Sequence, residues 1–203
     1  MEIRELSVAQ LTEIYNTHMR VDFPPEELKP LDRILTLQEK GLYKGFGWVK
    51  EEPGQPAEIL AYALLVQPEY HEEFGKDSYV LMDYYAVCRG NRGQGVGSAF
   101  LSALLPGIDC RSILFEVEDP AAAEDAEERE IRERRMRFYH RLGLRATTGL
   151  YTKVFGVVFE MLTWNKEQRP LSASEMKAAM SQMYRKMLTE ELFEKNVQLE
   201  ILD

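Results

Sequence analysis

A glycine-rich segment at residues 89–98 has the composition of an anion-binding loop. It reads Arg-Gly-Asn-Arg-Gly-Gln-Gly-Val-Gly-Ser, follows a largely apolar predicted strand at Tyr79–Val87 and precedes an apolar helical pattern that ends at Pro106 and Gly107. Glycine lets the main chain approach an anion closely, and the N-terminus of the following helix adds N–H groups and a partial positive charge. Diphosphate is the natural ligand of such a loop.

The spacing within this segment separates three chemistries that use such loops. A P-loop ends in Gly-Lys-Ser/Thr, whereas the last glycine here is followed directly by Ser98. A dinucleotide fingerprint needs Gly-x-Gly-x-x-Gly/Ala, and the two Gly-x-Gly pairs here are followed by serine or phenylalanine instead. Glu116 does fall near the position of that fingerprint's ribose-binding acid, but about eighty residues precede the strand, and the dinucleotide unit normally opens its domain. The third spacing, Arg-x-x-Gly-x-Gly, is the one that residues 92–97 match.

This third spacing resembles the coenzyme A loop of the GNAT superfamily of N-acetyltransferases. Residues 137–144, Arg-Phe-Tyr-His-Arg-Leu-Gly-Leu, are similar to a second block of that family, Phe-Tyr-x-x-Leu-Gly-Phe, which ends the next crossover helix. The order of predicted elements also matches the family: two helices, an antiparallel pair, then strand, loop, helix, strand, helix and a final hairpin. The resemblance covers roughly residues 1–165, and residues 116–120 resemble an uncharacterised bacterial branch.

The resemblance implies acetyl-CoA as cosubstrate and assigns residues to it by position. Arg92 bounds the loop, and Ala86 and Val87 lie on a splayed strand whose backbone pairs with the pantetheine arm and offers an N–H to the thioester carbonyl. The main-chain N–H groups that hold the diphosphate belong to Gly93, Gln94, Gly95, Val96, Gly97 and Ser98. The family transfers the acyl group directly to the amine, so Cys88 is expected to be a packed residue.

Two further side chains are candidates for proton transfer. Tyr139 matches the tyrosine that protonates the departing thiolate in several family members, a role that suits a phenol; the alternative is a packed aromatic beside Phe138. Asp83 is the candidate base, because strand alternation places it on one face with Leu81 and Tyr85. Family members carry a histidine at the position of Asp83 or a glutamate at that of Leu81, so this sequence departs from both patterns. An isolated charge in so apolar a strand also fits a structural salt bridge.

Composition excludes several classes of protein. The 203 residues carry a formal net charge of -9, which does not favour nucleic-acid binding. Residues 1–5 are charged and no apolar run reaches the roughly 20 residues needed to cross a bilayer, so we expect no signal peptide and no membrane partner. The two cysteines form no disulfide framework, and the three histidines lack metal-ligand spacing, so a cytoplasmic protein without a metal is expected.

The surrounding pattern predicts an α/β (α+β) fold: a mixed, largely antiparallel sheet with a splayed strand pair, flanked by helices, plus a C-terminal helical extension. Residues 1–165 are predicted to form the GNAT-like domain and residues 166–203 the extension. Capping boxes at Ser7 and Ser172 mark helix starts, and a second helix is predicted from Pro25 to about Lys40. In the extension, four methionines at helical spacing form a seam that either packs on the chain's own core or contacts a second copy in a homodimer: Met176, Met180, Met183 and Met187.

The leading hypothesis is therefore transfer of acetyl from acetyl-CoA to a primary amine. The alternatives are a catalytically silent acyl-CoA-binding module and, less favoured, a nucleotide-binding oxidoreductase. The sequence does not identify the acceptor, which the resemblance places near Tyr15, Phe23 and Glu26.

Overall fold

The computed structural model describes residues 1–25, 27–54, 56–67 and 78–202. Glu26, assigned above to the acceptor region, lies outside these residues. The chain divides into two compact units, Met1–Phe74 with Met82–Asp109 and Gly75–Leu81 with Cys110–Asp203. The boundary at residue 165 rests on family resemblance rather than on compactness, and it stays a prediction.

The helices that open the first unit begin where the sequence signals them locally. Strand β1 spans Glu2–Glu5, and helix α1 spans Val8–Ile14 behind the predicted capping box, in which Ser7 and Gln10 bond reciprocally. A π-helical turn at Tyr15–Met19 and the short α2 at Arg20–Asp22 continue it.

The predicted start of the second helix at Pro25 is wrong. Helix α3 spans Leu31–Glu39, and Pro30 is its N-cap. Proline disfavours a helical conformation in the residue before it, so the helix can begin only after Pro30. Lys29 therefore lies outside the helix, in the irregular segment before it.

The first unit contains β1, β2, β3 and residues 82–87 of β4, and these strands lie in that order. Strand β2 spans Tyr43–Lys50, β3 Glu58–Val66 and β4 Tyr79–Val87, and the β1–β2 and β2–β3 pairs are antiparallel. Helix α4 spans Val96–Gly107 and buries Phe100, Leu101, Leu104 and Leu105. The glycine-rich segment lies between β4 and the first turn of α4.

The second unit orders its later strands β5, β8, β7, β9, with β6 beside β8, and each of these pairs is antiparallel. Its strands are β5 Ser112–Glu118, β6 Arg145–Ala146, β7 Leu150–Val154, β8 Val157–Trp164 and β9 Val197–Ile201. Its helices are α5 Ala126–Arg141, α6 Ala173–Met187 and α7 Glu190–Asn196. The predicted class, a largely antiparallel sheet with flanking helices, is confirmed, while the splayed strand pair stays a prediction. The predicted C-terminal extension contains helices α6 and α7 but ends in β9, which pairs with β7.

The methionine seam of α6 packs within its own chain. Met176, Met180 and Met183 are 0% exposed and Met187 is 2% exposed, and Ser172 and Glu175 form the predicted capping box. The seam is therefore part of the core, and its use as a dimer contact is wrong; a homodimer through another surface stays a prediction. No helix within the described ranges is long and apolar enough to cross a membrane.

Candidate functional site

The glycine-rich loop between β4 and α4 is held by backbone bonds and shaped by two left-handed glycines. The Cys88 N–H donates to the Leu60 carbonyl at 2.9 Å, which fixes the end of β4 on β3. Gly93 and Gly95 have φ angles of 76° and 77°, a region that side chains other than glycine rarely adopt. A Cβ added at either glycine would meet no described atom within 4 Å, so these positions face open space.

Helix α4 begins without a capping side chain. Gly95 is its N-cap, and the first helical bond runs from the Ala99 N–H to the Gly95 carbonyl at 3.0 Å. The N–H groups of Val96, Gly97 and Ser98 precede that bond and have no intrahelical acceptor. Three donors and the positive end of the helix dipole therefore lie together at the start of α4, next to the loop, an arrangement suited to an anion.

The third glycine of the loop serves close packing. A Cβ on Gly97 would overlap the Tyr85 hydroxyl and lie 3.1 Å from a methyl group of Val87, so only glycine lets the first turn of α4 approach β4 this closely. The predicted Arg-x-x-Gly-x-Gly spacing thus combines one glycine for packing with others for backbone conformation.

Arg92 is tied to a buried carboxylate that the sequence analysis missed. Its Nε donates to the Val87 carbonyl at 2.9 Å, and its Nη2 pairs with Asp22 Oδ1. The Asp22 side chain is 2% exposed, and its other oxygen accepts a 3.0 Å bond from the Tyr62 hydroxyl. Arg89 lies 3.8 Å from the same carboxylate. This cluster anchors the loop to α2, and the only local signal for it was an acidic residue where the first helical pattern breaks.

Burial raises the pKa of two other titratable groups in this cluster, the Tyr62 hydroxyl and the Cys88 thiol. It raises the pKa of the Tyr62 hydroxyl, with Asp22 as the second cause, so Tyr62 remains a hydrogen-bond donor at any ordinary pH. Burial, followed by Asp22, also raises the pKa of the Cys88 thiol to about 11. The thiol is therefore protonated at neutral pH, as expected of a packed cysteine rather than a nucleophile.

Asp83 is engaged in a two-point ion pair. Lys29 Nζ lies 2.9 Å from each carboxylate oxygen, and the Asp83 side chain is 7% exposed while that of Lys29 is 24% exposed. The salt bridge that the sequence left open as an alternative is present. A role in proton transfer stays a prediction, and it now involves an ammonium that already faces the carboxylate.

Aromatic side chains position Lys29 beside this carboxylate. The Lys29 N–H donates to the Tyr84 hydroxyl at 2.9 Å, and the Tyr84 hydroxyl donates to the Glu27 carbonyl at 2.8 Å. The Tyr15 hydroxyl donates to the Lys29 carbonyl at 3.1 Å, and Phe23 meets the Tyr84 ring edge-on, with centroids 4.9 Å apart. Tyr15 and Phe23, predicted to line the acceptor region, thus surround the segment that carries Lys29.

Tyr139 belongs to the second unit, near the end of α5. Its ring is buried between Phe115 and Phe138, at centroid distances of 5.4 and 5.2 Å. Burial raises the pKa of its hydroxyl to about 12, although Arg135 opposes the shift. In the part of the chain that the structure describes, this hydroxyl has no hydrogen-bond partner. The Tyr139 ring is therefore packed among aromatic side chains and its hydroxyl keeps its proton at neutral pH, while its role as an acid stays a prediction.

Comparison with known proteins identifies the fold. No family model matches the sequence, and no curated protein matches it. Solved structures with a similar fold include two that are described as acetyltransferases and one that is a complex with acetyl-CoA. A GNAT-family acetyltransferase from Bacteroides thetaiotaomicron is 17% identical, with 89% of this chain and 93% of that chain covered and a TM-score of 0.63. Arabidopsis thaliana NAA60 in complex with acetyl-CoA is 12% identical, with 82% and 98% covered and a TM-score of 0.58. The ribosomal-protein-alanine N-acetyltransferase of Brucella melitensis is 19% identical, with 81% and 99% covered and a TM-score of 0.50.

The chain therefore has the GNAT fold, as the sequence resemblance predicted. The antiparallel pairing also differs from the parallel sheet of a dinucleotide-binding domain, which disfavours the oxidoreductase alternative.

Proposed function

We propose that this protein transfers an acetyl group from acetyl-CoA to a primary amine. The observation that carries the proposal is the uncapped N-terminus of α4 at Gly95, which joins a glycine loop open to solvent on one side. Its N–H groups suit the diphosphate of coenzyme A, and the solved structures of the same fold include an acetyl-CoA complex.

Each part of the first unit has a task in this proposal. The N–H groups of residues 93–98 bind the diphosphate, while Arg92, held by Asp22, keeps the loop in its binding conformation. Ala86 and Val87, at the end of β4, present extended backbone to the pantetheine arm. The thioester of acetyl-CoA supplies the activated acyl group.

Two side chains move protons in the proposed reaction. Asp83, which is paired with Lys29, takes a proton from the attacking amine, directly or through water. Tyr139 gives its proton to the departing sulfur, which its raised pKa permits at neutral and mildly alkaline pH. Direct attack fits the protonated, buried Cys88, which offers no nucleophile for a covalent intermediate.

The donor site is tested by the increase in melting temperature that acetyl-CoA produces, because a ligand that binds the folded state stabilises it. Gly95→Val should abolish the increase, since it adds a branched side chain on the open side of the loop at a positive φ. Gly90→Val is the matched control: Gly90 lies in the same loop, has an ordinary φ and has open space around its Cβ position. Equal stabilisation of both variants and the wild type would refute the assignment of the loop.

A silent acyl-CoA-binding module is the second candidate, favoured by the engagement of Asp83 with Lys29 and by the packing of Tyr139. The two are distinguished by a panel of primary amines with release of CoA thiol as the readout. A transferase releases thiol in proportion to one or more of the amines, whereas a binding module shows only the increase in melting temperature.

A further inference from the structure

The ammonium that faces the proposed base is the protein's own. Lys29 Nζ makes two bonds of 2.9 Å to Asp83, within the same compact unit as the glycine loop and the end of β4. A primary amine in contact with a carboxylate proton acceptor is the arrangement that the proposed reaction requires of its acceptor. We propose that Lys29 is itself an acetyl acceptor, and that the protein acetylates Lys29 Nζ within the same molecule. This inference rests on the proposed function.

The main chain around Lys29 is fixed, which favours an intramolecular reaction. Both of its peptide groups are held by tyrosine hydroxyls, the N–H by Tyr84 and the carbonyl by Tyr15. The ammonium lies 5.1 Å from the centroid of the Tyr84 ring, so the side chain runs along an aromatic surface to the carboxylate. An amine already held near its proton acceptor loses little further entropy when it reacts.

Lys50 provides a comparison within the same unit. It also forms an ion pair, with Glu52 at 2.7 Å, but the two side chains are 40% and 50% exposed. The pair lies at the surface end of β2, outside the aromatic surroundings that hold Lys29. A reaction directed by the site should distinguish the two lysines, whereas uncatalysed acetylation would favour the more exposed one.

The reaction balances without any further reagent. The Lys29 ammonium gives one proton to Asp83, and its nitrogen forms a C–N bond with the thioester carbonyl carbon as the C–S bond breaks. A second proton leaves the nitrogen, and the departing sulfur is protonated. The products are the Lys29 acetamide, CoA thiol and one proton released to solvent. Acetylation also removes the charge partner of the buried Asp83 carboxylate, so the modified protein should melt at a lower temperature.

The experiment incubates the purified protein with acetyl-CoA and follows the acetylation of each lysine by peptide mass mapping. Lys29 should be modified at least about 10-fold faster than Lys50, at a rate per molecule that does not depend on protein concentration. Asp83→Asn should slow the modification of Lys29 by about 10²-fold or more, the range typical of a lost general base. In Lys29→Arg the modification of that peptide should disappear, while acetyl-CoA still raises the melting temperature.

Several outcomes would overturn the inference. Equal rates at Lys29 and Lys50, or an unchanged rate in Asp83→Asn, would show that the acetylation of Lys29 is uncatalysed. An unmodified Lys29 in a protein that binds acetyl-CoA and turns over an external amine would refute this inference alone. Absence of both acetyl-CoA binding and thiol release with every amine would refute the proposed function as well.

Discussion

Asp22→Asn tests whether a buried carboxylate holds the donor loop in place. The substitution preserves the shape of the side chain but replaces one acceptor oxygen with an amide donor. Arg92 and the Tyr62 hydroxyl both donate to the carboxylate, so one of them would then face another donor. We expect two effects, lower stability and weaker binding of acetyl-CoA.

The loss of stability follows from the two hydrogen bonds. The bond from Tyr62 reaches a charged acceptor whose side chain is 2% exposed, and such bonds contribute about 1.5–3 kcal/mol. The bond from Arg92 counts for less, about 0–1 kcal/mol, because that side chain is 49% exposed and regains water. Because both bonds lose their charged acceptor, the free energy of unfolding should fall by about 1.5–4 kcal/mol, measured by urea denaturation with an unchanged m-value.

Measurement of the Kd for acetyl-CoA distinguishes the effect of Asp22 on the loop from its effect on stability. Without the bond from Arg92 to Asp22, the loop samples conformations that do not bind, and the Kd for acetyl-CoA should rise by about 10-fold, or ~1.4 kcal/mol, in titration calorimetry. Tyr62→Phe is the matched control, because it removes the other bond to Asp22 and leaves Arg92 paired. It should lower stability by about 1.5–3 kcal/mol with an unchanged Kd. If both variants weakened binding equally, or if Asp22→Asn changed neither quantity, the anchoring role would be refuted.

The remaining predictions concern proton transfer and thiol reactivity. Tyr139→Phe should lower kcat by on the order of 10²-fold with little change in the Kd for acetyl-CoA, and a wild-type kcat would leave Tyr139 as a packed aromatic. Because burial raises the Tyr139 pKa to about 12, the wild-type pH profile should not lose its acid near pH 10, where a free phenol would ionise. Asp83→Asn should reduce kcat/KM most at lower pH, where the amine is most protonated; a fall in melting temperature alone would indicate a purely structural pair with Lys29. Cys110 should react with a thiol reagent in the folded protein, whereas Cys88, buried with its pKa raised to about 11, should react only on unfolding.

Local signals in the sequence predicted local structure well. The capping boxes at Ser7 and Ser172 form as expected, because all of their bonds lie within four residues. The spacing of the glycine loop predicted a strand, a turn and a helix, and Gly93 and Gly95 adopt the positive φ angles that such a turn requires. Since these features depend on neighbouring residues only, the sequence contains all the information needed to infer them.

Non-local pairing was harder to predict. Strands β1 and β9 were not predicted, since each is short and gains its hydrogen bonds from a distant partner, β1 from β2 and β9 from β7. A strand of four or five residues has too few positions for a reliable alternation of polar and apolar side chains. In the same way, burial of the methionine seam of α6 depends on packing that helical spacing alone cannot distinguish from an intermolecular contact.

The ion pairs of the candidate site could not be predicted for the same reason, because their partners are distant in the sequence. Asp22 and Lys29 follow one another closely in sequence, yet Asp22 reaches forward to the donor loop and Lys29 to Asp83 on β4. Each partner lies more than fifty positions along the chain, beyond the reach of any local pattern. The segment before α3 therefore supports the donor loop with a carboxylate and occupies the proposed base with an ammonium.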